Sequence, residues 1–180
     1  MRALAATLVV GWALAAHAED LPLPLQVQLL QKTSSYITSL QPGASGKVKV
    51  LVVHAGASPT RTTDTLASSI NQLGQLGKHP AEAKVVALEG LKATLDAEKP
   101  QMIWVAPDTD EKGVESVLQA VGSANIVTVS AAAAHIKQGV ILGFDLVEAK
   151  PRILVHLKQA RTQSVVFLSG LLTHSVIVEK

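Results

Sequence analysis

GVILGFDLVEAKPRILVHLKQARTQSVVFLSGLLTHSVIVEK, Gly139–Lys180, decides the fold. It holds two apolar runs, Val140–Val147 and Arg152–Leu157, separated by Glu148-Ala149-Lys150-Pro151. Proline fixes φ and has no N–H, so Lys150-Pro151 breaks the run. The pattern predicts a β-hairpin, or two successive strands. A helix should follow, with an apolar face that includes Val166, Phe167, Leu171 and Leu172.

Upstream, apolar runs alternate with helical patterns. Leu21-Pro-Leu-Pro24 should be a non-helical lead-in. From Leu25 to Leu40 the apolar spacing predicts an amphipathic first helix. Lys47–His54 (KVKVLVVH) becomes a continuous β-branched run, as expected of a central strand covered on both faces. Ser58 or Thr60 can cap a helix from Arg61 to Leu76, ending near Gly77, and His79-Pro80 should form a loop. Lys84–Leu88, Met102–Val105 and Ile126–Ser130 read as further strands. Between them, helices are expected over Gly90–Glu98, over Glu111–Val121 capped from Pro107-Asp108-Thr109-Asp110, and over Ala131–Gln138.

This order implies right-handed crossovers. The expected fold is α/β: a single three-layer domain whose mostly parallel twisted sheet is covered by helices on both faces. Its last strand should be antiparallel, and an N-terminal helix should precede the sheet.

The first 18 residues read as a leader. Arg2 is a minimal positive region, Ala3–Ala15 is apolar, and Ala16-His17-Ala18 is a small-x-small cleavage motif. The apolar run is shorter than the ~20 residues a membrane span needs. Cleavage after Ala18 would leave a domain over residues 19–180, enough chain for one full core. The chain has no Cys, so no disulfide framework and no lipid-carrying Cys is available. Without Arg2 the basic residues number 15 against 14 acidic, and aromatics make up 3%. That balance excludes a nucleic-acid footprint, and there is little to stack bases on.

Chemistry-bearing motifs are sparse. Gly43-Ala-Ser-Gly46-Lys47 is too short for a phosphate loop and precedes a strand instead of following one. Ser169-Gly170 lacks the upstream Gly of a nucleophile elbow. His54, His79, His135, His156 and His174 show no metal-ligand spacing. His54 and His156 both sit at predicted strand ends, and would share an edge only if those strands run the same way. No activated nucleophile, cofactor or metal site is expected, so the reading is non-enzymatic.

One loop stands out. Ligands gather at the carboxyl ends of strands in open parallel sheets. Ser58–Asp64 (SPTRTTD) should lie there, with the hydroxyls of Ser58, Thr60, Thr62 and Thr63, the charge of Arg61 and free N–H groups suited to an anion. Asp108, in the matching loop after Met102–Val105, could meet a cation. Helix capping explains both loops without a ligand.

The chain resembles the YfiR-like family of periplasmic α/β proteins. Arg152-Ile-Leu-Val-His156-Leu157 resembles the end of a family strand, and Phe167-Leu-Ser-Gly-Leu171-Leu172 a family helix. Leu29-Leu30-Gln-Lys32-Thr-Ser-Ser35-Tyr36 resembles the first helix, and Gly139-Val-Ile a strand start. Trp104-Val-Ala-Pro107 and Ile126-Val-Thr-Val129 fit the third and fourth strands. His156 stands where the family usually has Asn, and the Cys pairs of some members are missing. The resemblance implies a periplasmic regulator that binds the periplasmic part of a membrane signalling protein, such as a diguanylate cyclase or sensor kinase. The family fold is also similar to one lobe of a periplasmic binding protein, which leaves a small ligand open, and apolar residues on the first or last helix could make a homodimer interface.

Overall fold

Val48–His54 forms β1, and six of its seven residues are buried, as a strand with both faces covered requires. In the computed structural model, residues 21–56 and 58–178 are described, so the leader expected over residues 1–18 lies outside them. The elements run α1 (Leu23–Ser34), β1, α2 (Arg61–Leu73), β2 (Gln75–Leu76), β3 (His79–Ala87), α3 (Leu91–Glu98), β4 (Met102–Val105) and α4 (Glu111–Val121). They continue with β5 (Val127–Ser130), α5 (Ala133–Gln138), β6 (Leu142–Val147), β7 (Lys150–Val155), α6 (Leu157–Thr162), α7 (Ser169–Thr173) and β8 (Ser175–Ile177).

One eight-stranded sheet results, in the order β2-β3-β1-β4-β5-β6-β7-β8. β3, β1, β4, β5 and β6 are parallel to one another; β7 returns antiparallel to β6, and β8 lies parallel to β7. From β1 the chain goes to one side for β3 and to the other for β4, so the winding reverses at β1. α2 packs on one face, with Leu66 and Ile70 against Val50, Val52 and Trp104. α3, α4 and α5 pack on the other through Leu91, Val114, Val117 and Ile136. Trp104 and Phe144, 6.0 Å apart between ring centroids, fill the first face beside α1 and α6. The expected three-layer α/β class with a covered, mostly parallel sheet is what forms.

Several local expectations are corrected. α1 starts at Leu23, so Leu21–Pro24 is partly helical; Pro24 fits because first-turn N–H groups need no partner. The same helix stops at Ser34, well short of Leu40. α2 ends at Leu73 on Gly74, whose φ of 65° suits a left-handed cap. Gln75–Leu76 then pairs with His79-Pro80 through a tight turn at Gly77, so the predicted loop is the start of β3. Pro80 is tolerated because it lies toward the sheet edge, where a missing donor costs little.

The helix expected around Val166, Phe167, Leu171 and Leu172 is split. Val166–Leu168 runs extended beside α1's exit, with Phe167 bridged to Ile37. Thr38 N donates to Val166 O at 2.9 Å and Leu168 N to Tyr36 O at 2.8 Å. These long-range bonds satisfy the backbone and compete with the helix that local spacing favours.

Candidate functional site

The reversal at β1 leaves a crevice at the carboxyl ends of β1 and β4, because their following loops diverge to opposite faces. A cleft of about 450 Å³ lies there. Thr60, Thr62 and Thr63 line it from the start of α2, and Ala106, Pro107 and Asp108 from the loop after β4. Leu21, Leu23 and Gln26 of the N-terminal segment close one side, and Ala131 after β5 the other.

The start of α2 is capped by its own threonines. Thr60 Oγ1 accepts from Thr63 N at 3.2 Å, and Thr63 Oγ1 donates to Thr60 O at 2.8 Å. Asp64 N donates to Thr60 O at 3.1 Å. The first-turn N–H groups of Arg61 and Thr62 have no internal partner among the described residues, as expected at a helix start. Gln26 Nε2 donates to Leu21 O at 2.6 Å, folding the N-terminal segment down onto the cleft wall.

Of the sequence-predicted residues, Thr60, Thr62 and Asp108 line the cleft together. Ser58 and Arg61 are exposed beside it and do not. Asp110 is committed elsewhere: its Oδ1 accepts from Gly113 N at 2.8 Å and caps α4. Among the described residues, no group of three or more His, Asp or Glu side chains could hold a metal ion.

The histidines separate by environment. β7 runs antiparallel to the parallel strands, so His156 follows at the opposite end of the sheet from His54 and the two do not meet. His156 Nδ1 accepts from Gln159 N at 3.0 Å and caps α6. His54 is buried at the end of β1, with Nδ1 unpartnered. His135 is the residue that sequence reasoning missed. Its Nε2 lies 2.9 Å from Thr109 O, and its Nδ1 lies 2.8 Å from Ser130 Oγ. The neutral ring satisfies both, donating to the carbonyl and accepting from the hydroxyl. Burial holds its pKa below the ordinary 6.5, against the opposing pull of the Thr109 carbonyl and the Asp108 charge. His135 thus ties α5 to the loop that carries Asp108. A lone His in an Ala-rich stretch gives no sequence signal for that role, since the Thr109 carbonyl it holds lies 26 residues away in the chain.

Among the described residues, the cleft holds no nucleophile–base pair. Its lining combines apolar walls, threonine hydroxyls and one carboxylate.

Comparison with known proteins agrees with this fold. The family model described as YfiR/HmsC-like matches residues 25–175. A conserved domain protein from Vibrio cholerae O1 biovar El Tor aligns with a TM-score of 0.57 at 15% identity, covering 88% of this chain and 60% of that one. An ABC domain from Streptococcus pneumoniae, solved with L-Trp, aligns with a TM-score of 0.56 at 11% identity, covering 83% and 61%. At such identities the likeness is one of fold. The chain spans about three fifths of the length of these structures. No curated protein matches the sequence.

Proposed function

Because the chain belongs to the YfiR/HmsC-like family, whose role is regulatory and periplasmic, we propose that it acts by binding the periplasmic part of a membrane signalling protein, a diguanylate cyclase or a sensor kinase. The observation that carries this reading is the family match over residues 25–175, nearly the whole of the sheet and its helices. The cleft adds a surface lined by polar groups. Among the described residues, no helix is long and apolar enough to cross a membrane. The protein would reach the periplasm by its leader, cleaved after Ala18; an intact mass that retains Met1–Ala18 would contradict that step.

The test is recovery of the tagged protein from membranes with its partner, paired with the cyclic-di-GMP level or kinase output on deletion. Co-purification of one signalling protein and a changed output are expected. No membrane partner together with an unchanged output would sink the reading.

A second reading is favoured by the cleft itself: a single-lobe solute-binding protein that holds a small ligand at the carboxyl edge of its sheet. A zwitterion would place its anionic group on the free N–H groups of Arg61 and Thr62 and its amine on Asp108. Amino acids, including the L-Trp bound by the similar Streptococcus pneumoniae domain, form the panel for a thermal-shift screen. A ligand-dependent rise that Asp108→Asn removes is expected; flat melting curves across the panel would exclude this reading.

A further inference from the structure

The loop between β4 and α4 brings Ala106, Pro107 and Asp108 to the cleft wall, and few bonds hold it there. Ala106 N donates to Val53 O at 3.0 Å, Thr109 N to Ala106 O at 3.0 Å, and Asp110 caps α4. The buried Thr109 Oγ1 has no partner among the described residues. Among those residues a single hydrogen bond ties the loop to α5, from His135 Nε2 to Thr109 O.

That bond belongs to a relay that fits one protonation state. Ala132 N donates to Ser130 Oγ at 3.2 Å, and Ser130 Oγ lies 2.8 Å from His135 Nδ1. With a neutral ring every member is matched: the Ser130 hydroxyl donates to Nδ1, and Nε2–H donates to the carbonyl. An imidazolium carries two donors instead. Its Nδ1–H would point at Ser130 Oγ and turn the hydroxyl proton away. Ser130 is fully buried, and among the described residues no other acceptor is bonded to it. A buried donor without a partner is costly. The proton therefore favours a ring that has left its place, and the Thr109 carbonyl is let go with it.

We propose that His135 is a proton-released latch on the cleft: its neutral ring pins the Ala106–Asp110 loop to α5, and acid frees the loop. The surroundings set that direction. Burial is the strongest influence on the ring and disfavours its charged form, against the pull of the Thr109 carbonyl and the Asp108 charge. α4, β5, β6 and β7 pack against α5. Their charged side chains are Glu111, Lys112 and Glu115 of α4, Asp145 of β6, and Lys150 and Arg152 of β7, with Lys137 on α5 itself. None of these bonds to the ring, and Asp108 is the charge that acts on it. Release would carry Asp108 out of the cleft wall, so the shape and charge of the cleft would follow pH.

Amide exchange of the full-length protein, expressed with its leader and purified, tests the latch. Protection factors remove the intrinsic pH dependence of exchange. Thr109 should be at least about tenfold less protected than Ile103 of β4, because the loop opens without global unfolding. Below about pH 6.5 its protection should fall by up to about tenfold per pH unit, the slope of an opening coupled to one proton. The fall should track the titration of the His135 ring followed by NMR. His135→Gln, with circular dichroism verifying the fold, should remove the pH dependence, and Asp108→Asn should keep it at a lower midpoint. Thr109 protection that matches that of Ile103, or that does not change with pH, would overturn the proposal. So would a loop midpoint that differs from that of the ring, the same fall in His135→Gln, or its loss in Asp108→Asn.

Discussion

The two edges of the sheet are built by opposite means. At the β2 edge, a two-residue strand is folded back by Gly77 and lies beneath the end of α1, with Leu76 and Leu30 fully buried. At the β8 edge, a three-residue strand ends the sheet with apolar side chains in solvent. The first arrangement spends its contacts on stability. The second leaves backbone and apolar surface available to another molecule. Sealing and exposure are thus separated to opposite sides of one sheet.

Substitutions can break or sharpen that contrast. The largest expected effect is at the sealed edge: Leu76→Ala removes a fully buried side chain and should cost about 2–5 kcal/mol in urea unfolding. Gly77→Ala should cost about 1–3 kcal/mol, because φ is +60° and the new methyl meets the Ser34–Ser35 backbone. If either change were silent, the edge would not be sealed as described.

A milder effect sits between the edges. His135 has a lowered pKa when folded, so below about 6.5 the unfolded chain binds more protons. Its contribution to stability is complete above about 6.5 and is lost as pH falls from there toward the folded value. Unfolding midpoints measured across that window should decline, and His135→Gln should flatten the decline. On the open side, the β6–β7 turn uses Glu148 and Ala149 at φ 52° and 58°, where Asn-Gly is preferred. Glu148→Asn with Ala149→Gly should raise stability by about 0.5–1 kcal/mol. The smallest effect is expected at β8: Ile177→Ala should change stability by less than about 0.5 kcal/mol.

The sequence was most informative where structure is local. The run Lys47–His54 is a buried strand by composition alone. Thr60 and Asp110 cap their helices as their residue types suggest. The Gly139–Lys180 stretch announced its hairpin through Lys150-Pro151, although β7 in fact begins at Lys150. What could not be read depends on distant partners. Gln75–Leu76 is a strand only because His79-Pro80 lies beside it. Val166–Leu168 is extended because Tyr36–Thr38 supplies its hydrogen bonds, more than a hundred residues away in the chain. The cleft was half legible: Thr60, Thr62 and Asp108 followed from strand ends and the rule for parallel sheets. Its wall at Leu21 and Gln26 did not, since nothing in an N-terminal helix says where it will pack. His135 was missed for the same reason.

Amide hydrogen exchange at β8 tests most directly whether this edge is open as described. The amide of Ile177 should exchange fast, while that of Val178, bonded to Val155, stays protected. An Ile177 amide as protected as that of Val178 would contradict it.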